Sequence, residues 1–297
     1  MVISDVYNAI RRGKWFICES ELIAQQAIVD ALLAHESIEG SEKDKPYRYF
    51  AKSSGTGGVG NSFDDAPEGS IAIIELTGTM LKNDTLCAYG TSSIAAQLRE
   101  AADSQNIEGI ILDIDSGGGA VDAIAPLISA IDYAHSKLKP VVAICDLCAS
   151  AAYYVASACD HIMASNAISS EFGSIGVMMS FRDYSKYYAD HGVKEHTIYS
   201  SLSTYKNAPF EAARRGEYDL IRQEELDPLA KGFQNYVTSH RAGLAADEKG
   251  ILNGRMFYAQ EAVRVGLADS IGDFDAALAM ARDLREKLCV QDYINQK

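Results

Sequence analysis

At 297 residues the chain can bury a substantial core, in one large domain with an extension or in two domains. Its formal net charge of −14 excludes an ordinary nucleic-acid surface, which needs a basic face. No run approaches the roughly 18–20 apolar residues of a membrane span, and Met1-Val2-Ile3-Ser4-Asp5 lacks a basic stretch leading into an apolar one. The expected location is therefore the cytoplasm, without a membrane anchor.

Along the chain, Leu22, Ile23, Ala27, Ile28, Ala31, Leu32 and Leu33 recur at helical spacing, which predicts a helix within residues 1–36. Residues 37–69 turn polar and glycine-rich, as in Ser53-Ser54-Gly55-Thr56-Gly57-Gly58-Val59-Gly60, and read as a flexible linker. Strand and helix patterns then alternate. Ile71–Leu76 reads as a strand, Ser93–Ala102 as a helix, Ile110–Ile114 as a buried strand, and Val121–Lys137 as a helix. Val141–Ile144 and His161–Ala164 are further strands on either side of a helix beginning near Ser150. This alternation predicts an α/β fold with βαβ units. From Phe210 to His240 a long helical stretch carries Leu226, Leu229, Phe233, Tyr236 and Val237 on one face, with a kink expected at Pro228.

Three segments carry chemistry. The strand ending at Ile114 runs into Asp115-Ser116-Gly117-Gly118-Gly119, where glycines let the backbone approach a ligand and aim N–H groups at it. The segment lacks the Gly-Lys-Ser/Thr ending of a phosphate loop, so it reads as an oxyanion nest or as a plain tight turn. Ser150 lies among small residues, Cys148-Ala149-Ser150-Ala151-Ala152, at a strand-to-helix junction. There the free N–H groups and positive end of the helix can stabilise a developing oxyanion, although a serine at such a place can also be a simple N-cap. Lys206 is a lone cation in the uncharged stretch Ile198–Phe210, suited to a base or to a surface position.

The six cysteines lie mostly in predicted core elements and read as buried free thiols. Cys145-Asp146-Leu147-Cys148 has no second ligand pair to make a zinc site, and neither a metal nor another cofactor is expected. Of the six histidines, His161 is the one candidate for a rival Ser-His-Asp triad.

Taken in order, these motifs resemble the signal peptide peptidase A (protease IV) family of Ser/Lys peptidases, in its phage-type branch related to lambda capsid protein C. The family's Asp-Ser-Pro-Gly-Gly matches Asp115 to Gly119, and its Ala-Ala-Ser-Gly-Gly-Tyr-Tyr matches Cys148 to Tyr154. Gly-Ser-Ile-Gly-Val is intact at Gly173 to Val177, Tyr-Lys before Pro-Phe matches Tyr205-Lys206 and Pro209-Phe210, and Gly-Arg-Val-Phe resembles Gly254 to Phe257. Gly117 replaces proline. Ala151-Ala152 replace Gly-Gly, which suits a regular helix start.

The resemblance implies a crotonase-like (Clp protease-like) core, with a long helical arm toward the C-terminus and a short N-terminal helical extension. Within it, residues 70–287 would be the peptidase domain and 288–297 a tail. It implies Ser150 as nucleophile, Lys206 as general base and Ser174 as the hydroxyl that orients the lysine. Backbone N–H groups of Gly118, Gly119 and Ala151 would form the oxyanion hole. To act as a base, Lys206 must shed its proton near neutral pH, and burial among Tyr205, Pro209, Phe210 and the region of Ile175 is the expected cause. The implied activity is serine endopeptidase cleavage of capsid, scaffold or portal proteins during phage head maturation, by a homo-oligomeric ring. A cytoplasmic enzyme clearing signal-peptide remnants and a non-catalytic ring-forming scaffold are the alternatives.

Overall fold

The computed structural model describes residues 15–17, 47–52, 54–85, 88–194 and 196–295. In chain order it contains β1 (Trp15–Ile17), β2 (Tyr47–Ala51), β3 (Thr56–Gly60), β4 (Ser70–Thr77), α1 (Thr91–Asp103), β5 (Ile107–Ser116), β6 (Gly118–Ala120) and α2 (Ile124–Ser136). There follow β7 (Val141–Ala149), α3 (Ala151–Ala156), β8 (His161–Ala164), β9 (Glu171–Gly173), α4 (Ser185–Asp190), α5 (Ala208–Arg214) and α6 (Asp227–His240). The chain closes with β10 (Met256–Tyr258), α7 (Ala259–Arg264), β11 (Ser270–Ile271) and α8 (Phe274–Asn295).

The expected α/β class is the one observed. β4, β5 and β7 run parallel at the centre of a sheet ordered β10-β9-β7-β5-β4-β2-β3, with β8 and then β11 added beside the first half of β7. Alternation along the strands divides the core. Ala72, Ile110, Leu112, Val141 and Ala143 face the main cluster with α1 and α2, while Ile71, Ile111, Val142 and Ile144 face Ala277, Leu278 and Ala281 of α8. Leu98 and Leu127 are fully buried, each burial worth about 2 kcal/mol.

Three expectations need correction, and a fourth lies outside the described residues. Residues 47–60 are not a linker but an antiparallel hairpin that extends the sheet beside β4. The bare glycines make this possible: a Cβ on Gly58 would stand 2.6 Å from the ring of Tyr49, so the ring lies over the glycine. The helix expected within residues 1–36 falls outside the described residues, apart from 15–17, which form a strand whose Ile17 belongs to the main core. The stretch Phe210–His240 is not one kinked helix. It breaks at Gly216, where φ is +83°, passes through a short turn (Asp219–Ile221) and a π turn (Arg222–Leu226), and resumes as α6 with Pro228 in its first turn, where a missing N–H costs nothing. Residues 288–295, expected as tail, continue α8.

An ion pair fastens the end of α6 to the sheet. Arg241, 9% exposed, donates to Asp269 Oδ1 at 2.6 Å and Oδ2 at 2.9 Å, and also to Gly266 C=O. Burial pushes the Asp269 carboxyl up, but the Arg241 bonds and the Ile162 N–H outweigh it and hold the group below the usual carboxylate range. A depressed carboxylate pKa stabilises the fold above the unfolded value of about 3.9 and ceases to do so as pH falls through the folded value. Arg241→Ala should cost about 2–3 kcal/mol near neutrality, with the gap to wild type narrowing below about pH 4, as read by thermal melts from pH 3 to 7.

Candidate active site

The parallel strands end together. Thr77 pairs with Asp115, Ser116 with Cys148, and Ala149 with Gly173, so the carboxyl ends of β4, β5, β7 and β9 form one rim, the usual ligand-binding edge of such sheets. Ser150 sits on this rim between β7 and α3 with φ +53° and ψ −115°, a strained backbone state for a residue bearing a side chain. The strain falls on the serine itself; Ala151 begins a regular helix. The Ser150 N–H donates to Gly173 C=O at 2.8 Å, and Gly173, at φ +129°, leaves no room for a Cβ, which would lie 2.3 Å from the Arg255 carbonyl oxygen. Ser174, also at positive φ, donates its N–H to that same Arg255 carbonyl at 3.1 Å.

Ser150 is 1% exposed and its Oγ has no hydrogen-bond partner among the described residues. It stands at the N-cap position of α3 but makes no side-chain capping bond. A buried hydroxyl without a partner loses free energy, about 1–3 kcal/mol, unless something else at the site makes use of it. The helix behind it is firmly held. The Tyr153 hydroxyl donates to Leu267 C=O at 2.9 Å, and the Tyr154 ring stacks on Tyr236 of α6 at 4.0 Å. The first intrahelical bond runs from the Tyr154 N–H to the Ser150 C=O, so the Ala151, Ala152 and Tyr153 N–H groups precede it at the helix mouth. Because Ser150 has positive φ, Ser150→Gly should be more stable than Ser150→Ala by about 1 kcal/mol; paired urea melts check this.

The glycine-rich segment lies beside α3, which packs on β6. A second loop laces it in place. The Ser116 hydroxyl donates to Gly78 C=O at 2.6 Å and accepts the Gly118 N–H at 3.1 Å, while the Met80 N–H donates to Gly118 C=O at 2.8 Å. The structure thus brings Ser150, Ala151, Ser174, Gly118 and Gly119 to one end of the sheet. Sequence reasoning misses the supporting roles of Gly78, Met80 and Arg255. Thr77-Gly78-Thr79 after an apolar strand is the available signal for the first two.

Lys206 is elsewhere. It is exposed in a turn before α5, in a cleft with Tyr199, Ser203, Glu211 and Arg222 that does not include Ser150. Among the described residues the expected apolar cover is absent, for Tyr205 is 60% exposed and Phe210 is also open to solvent. Large apolar side chains are exposed throughout this region, with Ile198 at 92% and Leu202 at 94%. His161 pairs with Val142, eight residues before Ser150 in sequence, which places it about 26 Å along the sheet from Ser150. It contacts Ser270 Oγ at 2.8 Å instead, and a triad through His161 within the chain is excluded.

Cys145, Cys148 and Cys159 are buried free thiols, and burial pushes Cys145 and Cys159 up. Among the described residues no group of three or more His, Cys, Asp or Glu is placed to hold a metal, and no helix is long and apolar enough to cross a membrane.

The chain is similar to several known proteins. The chain is 32% identical over 225 residues to the head-tail preconnector protein GP5 of Enterobacteria phage P21, covering 73% of this chain and 44% of that protein. It is 28% identical over 219 residues to the capsid assembly protease C of Escherichia phage lambda, covering 72% and 49%. The chain therefore spans less than half the length of either relative. A solved mutant of the 1510-N membrane-bound stomatin-specific protease is similar at TM-score 0.46 and 16% identity, covering 72% of this chain and 84% of that one. The model of peptidase family S49 matches residues 134–287, just over half of the chain, which carry the Ser150 junction, Gly173-Ser174 and Lys206; the chain belongs to peptidase family S49.

Proposed function

We propose that the protein is a serine endopeptidase in which Ser150 is the nucleophile and Lys206, supplied by a second copy of the chain, is the general base. The observation that carries this reading is the Ser150 hydroxyl: buried, without a partner, and held by a strained backbone on the carboxyl rim of the sheet. In the first step Ser150 Oγ bonds to the scissile carbonyl carbon and its proton passes to the Lys206 amine. Collapse of the tetrahedral adduct expels the new amino terminus, which takes that proton, and water then hydrolyses the acyl-serine.

The Ala151 N–H at the mouth of α3 is the donor best placed for the oxyanion. The Gly118 N–H joins it only by leaving the Ser116 hydroxyl. Lys206 reaches Ser150 when the exposed apolar segment around Ile198, Leu202 and Tyr205 is covered by another subunit, which also removes water from the amine. The names of the two phage relatives, a capsid assembly protease and a head-tail preconnector protein, support proteins of phage head assembly as substrates.

Fluorophosphonate labelling read by intact mass from pH 6 to 10 tests the dyad. Labelling should rise with pH in the wild type and vanish in Ser150→Ala and Lys206→Met. A folded oligomer that never labels would instead indicate a non-catalytic scaffold.

A further inference from the structure

β1 lies about a hundred residues before β6 in sequence, yet pairs with it antiparallel, with Trp15 opposite Ala120, Phe16 opposite Gly119 and Ile17 opposite Gly118. The other edge of β6 is already taken. The Met80 N–H donates to Gly118 C=O, the Ala120 N–H donates to Met80 C=O at 2.9 Å, and a Cβ on Gly119 would sit 2.0 Å from the Met80 oxygen. Polar groups of successive strand residues point to alternate edges, so the N–H and C=O of Gly119 face away from Met80, toward the edge where Phe16 is its register partner.

We propose that this edge of β6 is the peptide-binding strand of the peptidase, and that Trp15-Phe16-Ile17 is a built-in occupant which must leave before a substrate can enter. This rests on the Ser150 reading above. Polarity supports it. Ser116, two residues before Gly118, pairs with Cys148, two residues before Ser150, so the Gly118 end of β6 is the end nearer the nucleophile. β1 runs from Ala120 toward Gly118, as the residues on the acyl side of a scissile bond must run if their carbonyl is to reach Ser150. The occupant is anchored as a substrate would be: Ile17 is 4% exposed within the main core, and β1 packs against α3. The Ala120 end opens on a groove lined by Val121, Asp122, Glu224, Glu225 and Leu229, the path by which a longer chain would approach. The ligand class is thus an extended polypeptide with an apolar side chain at the position of Ile17.

The full-length chain carries its own reporter, because Trp15 is its single tryptophan. Ile17→Asp places a charge in the core position, and Phe16→Pro removes the N–H opposite Gly119. With folding verified by circular dichroism, both variants should label with fluorophosphonate about tenfold or more faster than wild type, since the apparent reactivity of wild type is reduced by the fraction of chains whose edge is open. Labelling of the folded variants at the wild-type rate overturns the proposal. In Ser150→Ala, titration with the tryptophan-free peptide acetyl-Leu-Phe-Ile-amide should change Trp15 emission saturably. If no form labels at all, the nucleophile reading fails, and this titration alone decides the strand: a saturable change upholds it, and a flat curve at millimolar peptide overturns it.

Discussion

Ser150→Ala and Lys206→Met should each lose at least about 10^4-fold in kcat/KM on a peptide substrate, and an equimolar mixture of the two inactive variants should regain a substantial share of wild-type turnover. The first half follows from the chemistry, because an alcohol without a base is a poor nucleophile at neutral pH. The second half follows from the geometry. Ser150 Oγ has no partner among the described residues, and Lys206 stands in solvent among exposed Ile198, Leu202 and Tyr205. In a mixed oligomer some interfaces pair an intact serine from one variant with an intact lysine from the other, and those sites should turn over. Lys206→Arg should be as inactive as Lys206→Met, since a guanidinium does not give up its proton. Recovery that depends on total protein concentration, measured by initial rates after mixing and dilution, checks the arrangement. No recovery at any concentration would mean that serine and lysine act within one chain.

A second large effect should come from two glycines. Gly173→Ala forces a side chain onto φ +129° and against the Arg255 carbonyl, and Gly119→Ala collides with the Met80 carbonyl. In both cases the obstacle is backbone that is itself hydrogen-bonded, so it cannot swing aside as a flexible side chain would. Each substitution should cost about 2–4 kcal/mol, or roughly 5–10 °C in Tm, and should abolish labelling of Ser150 by displacing its supports. Gly232→Ala is the control. A Cβ there meets nothing within 4 Å, the site is inside α6, and alanine should stabilise by up to about 1 kcal/mol. Differential scanning fluorimetry of the three variants distinguishes close approach from a general intolerance of glycine replacement.

The central strands are legible in the sequence because Ile71–Leu76, Ile110–Ile114 and Val141–Ile144 are apolar runs bounded by polar or glycine-containing turns, a pattern that only a sheet covered on both faces accommodates. The Ser150 junction is legible for the same reason, a strand running into small residues before a helix. The hairpin at 47–60 is not. Its glycines look like a linker until Tyr49 is seen lying over Gly58, a contact between strands that no local window contains. Apolar cover is expected over Lys206 because its sequence neighbours are apolar. Those neighbours face solvent, and adjacency in sequence says nothing about which molecule will cover them. The pairing of β1 with β6 is invisible too, since three residues hold no periodicity and their register is set by a partner far along the chain.

Among the described residues, the cradle around Ser150 is made almost wholly of main-chain groups, the amides and carbonyls of Gly78, Met80, Gly118, Gly173 and Arg255, together with the Ser116 side chain. A machine assembled from peptide groups asks of its sequence chiefly where side chains must be missing. Most rim positions are then free to vary as long as the glycines stay, which suits a chain with Gly117 where the pattern it resembles has proline. Divergence in such a lineage should accumulate in the side chains that meet substrate and partner, while the scaffold of the reaction goes on unaltered beneath them.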